Sequence, residues 1–346
     1  MSILDTFRNA EFRDTSILGT HGLLNPQNSW IASRKCIVCG STAPVREILP
    51  NWGVWCRCEG CGLEFADPSS LPEPPTEVFN RAYSGKESDC GMEEFAYRAS
   101  IRHALVNHPD LWFFNPAAIR EVLDFLHRRV PPGGTVFEIG SGLGFFLHLL
   151  RREGFNPVGL DVAQVVVDLA RADGFKIWHG TLDSVPPDFV KPDAIVSLFV
   201  LHHLDAPIDF FRLLRKRWPS APIAIAEYGQ VGPNSVAAYP PRTLHRWNSK
   251  ALALAMRQTG YKVQTIDVSS SGNEHPVLRP IRFVMRHTVI VPAVFRAAKV
   301  IQRRFMPRIL KPLKQPGYTI VGLGEPPETS SGTGDGSDGN AAKLSQ

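Results

Sequence analysis

The sequence predicts an α/β fold, a doubly wound and mainly parallel sheet preceded by a small cysteine-knuckle ribbon, and three observations carry that reading. Apolar runs of strand length alternate with helical patterns from Thr135 onward, which is the signature of parallel strands with helices on both faces. The stretch TVFEIGSGLGFFLHLLRREGFNPVGLD, Thr135 to Asp161, reads as strand, glycine loop, helix, strand and acid in order. Four of the six cysteines stand in two C-x2-C pairs ahead of it.

Residues 1–34 are mixed and aperiodic, an N-terminal extension without a readable function. MSILDTFRNAEFRD has no apolar core of the length an export signal needs, so a cytoplasmic location is expected. Residues 35–66 hold Cys36-Ile-Val-Cys39-Gly40 and Cys58-Glu-Gly-Cys61-Gly62. Each pair can turn two thiolates onto one ion, and the glycine after it permits the tight, left-handed turn that a knuckle requires. Trp52 to Trp55 leads into the second pair and suits a hairpin that joins the knuckles. The spacing fits a tetrahedral four-cysteine zinc site with Cys36, Cys39, Cys58 and Cys61 as ligands. Disulfides are the rival reading, and Cys56, two residues before Cys58, is a competing ligand. Four thiolates leave no open coordination position, so such a zinc is structural.

A linker and helical lid are expected over 67–132: Pro68 to Pro75 is proline-rich, and EEFAYRASIRHALV has helical spacing, with Tyr83 and Tyr97 as candidates near a substrate. Asn115-Pro116 is a helix start, and Ile119, Val122, Leu123 and Leu126 give that helix an apolar face before PPGG ends it. Beyond Asp161, Val165 to Ala172 and Ile208 to Trp218 read as helices. Phe175 to His179, Asp193 to Val200 and Pro222 to Glu227 read as strands. Ligands in such sheets bind at the carboxyl ends of the strands, where Gly140, Asp161, Thr181, His202 and Glu227-Tyr228 converge.

The glycine spacing separates two cofactor classes. A dinucleotide fingerprint, G-x-G-x-x-G, would need its third glycine where Phe145 stands. Here the third glycine comes one residue early, and Glu138 sits two positions before the first. E-x-G-x-G-x-G followed by Asp161 resembles the cofactor loop of class I S-adenosylmethionine-dependent methyltransferases. VFEIGSGLG, GLDV, HGTLDS and DAIVSLFVLHHLDAP follow in the order of that family, over roughly 133–270. With the double knuckle, the chain resembles bacterial zinc-ribbon methyltransferases of sugar and polysaccharide biosynthesis. The resemblance implies a Rossmann-like, seven-stranded sheet over 133–324 and S-adenosylmethionine as cofactor. It implies that Glu138, Gly140, Ser141, Gly142 and Gly144 cradle the methionine moiety and that Asp161, with Val162 beside it, takes the ribose. Thr181 and Leu182 would border the adenine, and Leu198 and Phe199 would floor the pocket.

Methyl transfer needs a nucleophile held in line and, for a hydroxyl, a base. His202, His203, Glu227 and His245 are the candidates at the open edge, with His245, read as lying in a loop before a helix, ranked first. The acceptor expected from the resemblance is a hydroxyl or carbon of a small molecule or glycan. Nucleic acid is disfavoured twice. Residues 40–66 offer only Arg46 and Arg57 as cations. The Asn/Asp-Pro-Pro-aromatic loop of amino-directed base methyltransferases is replaced by Leu201-His202-His203-Leu204. An RNA methyltransferase with a zinc ribbon and a catalytically lapsed, cofactor-binding scaffold are the alternatives.

The net charge of +5 is local in origin: residues 275–324 carry ten Lys or Arg and no Asp or Glu. Within them, 275–316 reads as a basic amphipathic insertion in a terminal hairpin. Its 277–315 portion is a candidate for peripheral contact with an anionic membrane surface, a packed basic helix being the other reading. No apolar run approaches the ~20 residues that span a bilayer. Residues 325–346 have the composition of a disordered tail.

Overall fold

A computed structural model describes residues 34–43, 45–49, 53–67, 102, 106, 115–229, 243–269 and 318–327. The ribbon comprises β1 (Arg34–Lys35), β2 (Thr42–Ala43), β3 (Val45–Leu49), β4 (Gly53–Arg57) and β5 (Glu64–Ala66). The α/β half begins with α1 (Pro116–Arg129), β6 (Thr135–Ile139), α2 (Phe145–Arg152), β7 (Asn156–Asp161), α3 (Gln164–Ala172) and β8 (Lys176–His179). It continues with β9 (Ala194–Leu198), α4 (Pro207–Arg217), β10 (Ile223–Tyr228), β11 (His245–Arg246), α5 (Ser249–Arg257), β12 (Lys262–Ser269) and β13 (Tyr318–Glu325).

Seven strands form one sheet in the order β12-β13-β10-β9-β6-β7-β8. Neighbours from β10 to β8 are parallel, and β13 runs antiparallel to both β10 and β12. This is the Rossmann-like, mainly parallel seven-stranded sheet that the sequence predicts. The chain leaves β6 towards β7 and β8, then returns to lay β9 on the other side of β6. The strand order therefore reverses between β6 and β9, which opens a crevice at their carboxyl ends.

Strand residues explain why both faces are covered. Phe137, Ile195, Ile223 and Ile225 point into one core, with Phe211, Leu214, Leu252 and Met256 from α4 and α5. Val136, Ala194, Val196, Ala224 and Ala226 point into the other, with Ile119, Val122, Leu126, Phe146 and Leu150 from α1 and α2. Alternate residues along each strand bury opposite faces, so both must be apolar. Asn115 caps α1 by accepting from the Ala118 amide, Pro116 stands in its first turn, and basic residues close its last turn.

The ribbon and the α/β half share a sheet. The ribbon sheet is ordered β11-β5-β4-β3, so its outermost strand, His245–Arg246, comes from the α/β half. The ribbon's apolar residues, Val38, Val54, Leu63 and Phe65 among them, run into the same core as Trp247 and Leu252. The expected ends of β9 also move. The strand stops at Leu198 rather than Val200, because Phe199 takes φ 59°, the left-handed region, which ends the strand sharply. Among the described residues, no helix is long and apolar enough to cross a membrane. The insertion 275–316, the tail beyond 327, Tyr83, Tyr97 and most of the expected lid lie outside the described residues.

Candidate active site and cysteine cluster

The glycine loop follows β6 directly. Gly140, Gly142 and Gly144 all have positive φ, at 76°, 49° and 77°. Gly140 and Ser141 both donate their amides to the Leu160 carbonyl, which holds the loop against the end of β7. A Cβ on Gly140 would lie 2.4 Å from Cγ2 of Val200, so only glycine fits there. A Cβ on Gly142 would meet nothing within 4 Å: the backbone faces open space, as a loop that receives a ligand must.

Two carboxylates flank that space. Asp161, at the end of β7, accepts from the Gly142 amide at 2.8 Å and from the Ala163 amide at 2.9 Å. Burial raises its pKa, and those amides pull it back. Each oxygen keeps a further acceptor position, which suits the hydroxyls of a ribose. Glu138, in β6, is buried, and its Oε2 has no hydrogen-bond partner among the described residues. Burial first, and the neighbouring Asp161 charge second, hold its pKa well above the ordinary range. A buried carboxyl oxygen without a partner is costly unless a ligand supplies one, and a cationic amino group would. Beyond Asp161, Val162 is 39% exposed, a large apolar side chain left for a flat ring to cover. Thr181 precedes the 3-10 turn Leu182–Ser184, and Gly180 donates its amide to the Asp161 carbonyl, so these residues follow the same edge.

Across the crevice, the ends of β9 and β10 carry aromatic and titratable groups. Phe199, strained at φ 59°, stacks on Tyr228 with ring centroids 4.3 Å apart, while Leu198 ends β9 buried. His202 Nδ1 lies 2.7 Å from Oε2 of Glu227, and Oε1 of the same carboxyl accepts from the Leu201 amide at 2.6 Å. Both side chains are buried. Burial pushes Glu227 up to about 8, against the pull of His203 and the Leu201, Val200 and His202 amides. Burial likewise depresses His202 to about 3. The His203 ring lies against that of His202, centroids 3.8 Å apart.

His245 lies beside this pair, behind it on the ribbon side. The sequence predicts a loop for it and makes it the first candidate for the base; the structure places it in β11, paired with Phe65 of the ribbon and 1% exposed. Its pKa falls to about 3 by burial. The Leu201 carbonyl pulls weakly the other way, yet neither ring nitrogen meets an acceptor in hydrogen-bonding geometry among the described residues. A histidine buried within the ribbon sheet's outermost strand is not presented to a substrate.

Arg102 is a residue that sequence reasoning missed. Its Nε donates to the Leu143 carbonyl inside the glycine loop at 2.7 Å, and its guanidinium is ion-paired with Asp173, which also takes His148 at 2.6 Å. A lone arginine in a helical pattern carries no signal of that role.

The four knuckle cysteines come together as expected. Their sulfurs all lie within 4.8 Å of one another, with Cys36–Cys61 at 3.6 Å and Cys39–Cys58 at 3.3 Å. These separations are far beyond a disulfide bond and close to the ~3.8 Å edge of a tetrahedron with ~2.3 Å metal–sulfur bonds. The knuckles are built alike: Gly40 and Gly62 donate their amides to the Cys36 and Cys58 carbonyls, and the Val38 and Cys61 amides point at the Cys36 and Cys58 sulfurs. The hydrogen bond with Cys61 draws Cys36 down to about 5 and raises Cys61 itself. Cys56 is buried in β4 and takes no part in the cluster.

Comparison with known proteins agrees with this geometry. Residues 112–266 match the family described as "Methyltransferase domain". A curated relative, methyltransferase AacuQ of Aspergillus aculeatus, is 30% identical over 103 residues, 28% of this chain. The chain spans about a third, 33%, of that relative's length. Solved structures with similarity include a complex between a methyltransferase activator and a methyltransferase from Haloferax volcanii, at TM-score 0.43 and 20% identity over 65% of this chain and 97% of that one. Another is phosphoethanolamine N-methyltransferase 2 of Haemonchus contortus with S-adenosylmethionine, at TM-score 0.43 and 14% identity over 60% of this chain and 53% of that one. Residues 112–266, which hold the glycine loop, Asp161 and the His202–Glu227 pair, are thus similar to a methyltransferase domain.

Proposed function

We propose that the protein transfers a methyl group from S-adenosylmethionine to a hydroxyl or carbon of a small-molecule or glycan acceptor, with His202 and Glu227 as the acceptor-side base and with a structural zinc in the Cys36–Cys39–Cys58–Cys61 cluster. One observation carries the reading. The crevice between β6 and β9 has a ligand-ready loop and an unpartnered buried carboxyl on one side, and a buried His–Glu pair on the other.

Bound in the crevice, the cofactor supplies a methyl group made electrophilic by its sulfonium. The chain supplies the rest. Glu138 takes the cationic amino group, the amides of the glycine loop face the methionine backbone, and Asp161 takes the ribose hydroxyls. Val162 and Leu182 cover the adenine, and Phe199 with Tyr228 walls the reacting end. His202 receives the acceptor's proton at Nε2 while Glu227 accepts from Nδ1–H, which holds the ring in the basic tautomer. The glycan class rests on the resemblance to zinc-ribbon enzymes of sugar biosynthesis. It is favoured over nucleic acid by the ribbon, where residues 40–66 hold two cations, Arg46 and Arg57, and Arg57 lies 3.8 Å from Glu64.

The test is methyl transfer itself: purified protein with S-adenosylmethionine and parallel panels of nucleotide sugars, lipid-linked glycans and RNA, read as S-adenosylhomocysteine release and a one-methyl mass gain. Transfer to a sugar that His202→Ala reduces, with cofactor affinity retained, supports the reading. Transfer to RNA alone, or a His202→Ala enzyme at the wild-type rate, overturns it.

A further inference from the structure

The ribbon and the His–Glu pair are joined by a short, fully bonded path. The Cys58–Cys61 knuckle is held from the other half of the chain by two side chains: Asn248 Nδ2 donates to the Cys61 carbonyl at 3.1 Å, and Lys250 Nζ to the Gly60 carbonyl at 2.6 Å. Three residues after the knuckle, β5 pairs with β11, Phe65 opposite His245 and Glu64 opposite Arg246. The buried Arg246–Glu64 ion pair, at 3.1 Å, locks that register. The Ala66 amide then donates to the Leu244 carbonyl at 2.8 Å, and the Leu244 amide donates to the His202 carbonyl at 2.7 Å. His202 in turn holds Glu227. Apart from the exposed Lys250–Gly60 bond, every step is a hydrogen bond between buried or half-buried groups, and β11 has no other described strand to pair with.

We infer that the cysteine cluster positions the acceptor-side pair: metal held by Cys36, Cys39, Cys58 and Cys61 sets the placement of His202 through the β5–β11 ladder and the Leu244–His202 backbone bond. The physical reason is that β1 and β2 are two residues each and pair only with one another, so what would tie the two knuckles together is the metal held by their four thiolates. The glycine loop is held differently, by Leu160, Asp161 and Arg102, none of which belongs to the ribbon. Metal occupancy therefore acts on the acceptor side of the crevice and leaves the cofactor side alone. His245, in β11, is a positioning residue in that joint. The inference rests on the proposed zinc site and on reading His202–Glu227 as the acceptor-side pair, and its experiment reads structure without methyl transfer, so its failure is distinguishable from failure of that reading.

The experiment is hydrogen exchange on the full chain with zinc loaded and after chelation, together with calorimetry for S-adenosylmethionine. Chelation should speed exchange of the Leu201 and Leu244 amides by about tenfold or more, while β6 and β7 keep their protection and cofactor affinity stays within about twofold. Unchanged protection at Leu201 and Leu244 overturns the inference. Equal loss over β6 and β7 overturns it too, since the metal then supports only overall stability. Asn248→Asp separates the path from the metal: the side chain still accepts from Ala251 as the α5 cap but no longer donates to Cys61. With zinc retained, this variant should also loosen Leu244 and Leu201. If it exchanges like the wild type at both, the path is not the one described.

Discussion

At the scale of single residues, Gly140 and Gly142 differ although both have positive φ and both belong to the same motif. An alanine at Gly140 meets Val200 and must displace it, whereas at Gly142 it points into the crevice. Both substitutions are expected to cost about 1–2 kcal/mol for the left-handed backbone. Gly140→Ala adds the clash and is the more destabilising in chemical denaturation. Gly142→Ala is the milder for stability and the harsher for S-adenosylmethionine affinity in calorimetry, and the reverse ranking would displace the cofactor from this loop. Asp161→Ala should weaken the cofactor by at least about 1 kcal/mol, because it removes an acceptor for the ribose and releases the Gly142 amide. The His202–Glu227 pair predicts a pH profile with a definite sign. While Glu227 is protonated it donates to Nδ1, so the His202 proton sits on Nε2 and the ring is no base. Loss of that proton, at about 8, frees Nε2. Methyl transfer to a hydroxyl acceptor should therefore rise with pH and level off above about 8. Glu227→Gln, whose oxygen takes the Leu201 amide and whose NH2 then donates to Nδ1, should keep the His202 proton on Nε2 and leave a low rate that no longer rises with pH. A flat profile in the wild type would remove the pair from proton transfer.

At the scale of elements, what the sequence makes legible follows from period and spacing. The strands of the parallel sheet are readable because residues such as Ala194, Ile195, Val196 and Leu198 are buried on both faces, a run no surface strand would carry. The cysteine cluster is readable because two C-x2-C pairs can form it with local turns alone. The joint between ribbon and sheet is not. Strand β11 is two residues long, and its partner Phe65 stands 180 positions earlier, so no window of sequence holds the signal. His245 reads as a loop base in the sequence for that reason: besides its neighbour Trp247, its surroundings include Phe65 and the Leu201–His203 turn, brought from two distant parts of the chain. Phe199 is a second case, since a left-handed phenylalanine at a strand end contradicts local preference and is held by stacking on Tyr228. The joint also carries a prediction. Glu64→Ala leaves the buried Arg246 guanidinium without its carboxylate, which should cost about 3–5 kcal/mol in denaturant unfolding. Arg57→Ala, whose contact with Glu64 is 3.8 Å and half exposed, should cost less than about 1 kcal/mol. Equal effects would show that the Arg246 pair is not the lock.

At the scale of the whole molecule, the site draws on stability that the fold must supply, because it buries titratable groups in states they do not hold in water. His202 and His245 are both depressed to about 3 by burial, so the stability gained by keeping them neutral is complete above the unfolded value near 6.5 and is lost as pH falls through 6.5 towards 3. Glu227 works in the opposite sense. Its folded pKa is raised to about 8, so its contribution is complete below the unfolded value near 4.5 and is lost as pH rises from 4.5 to 8. Glu138 and Asp161, both raised by burial, add to the same alkaline decline. The difference between wild type and Glu227→Gln isolates one of these groups. Glutamine keeps the Leu201 amide's acceptor and the contact with His202 but cannot ionise. The variant should therefore gain stability relative to wild type as pH rises from 4.5 to 8, by at most about 1.4 kcal/mol per pH unit, and the gain should stop beyond 8. Urea unfolding at a series of pH values measures it directly. A stability difference that is flat over that window would mean that Glu227 folds as an ordinary carboxylate, held by the three amides around it, and that His202 carries the positive charge of the pair.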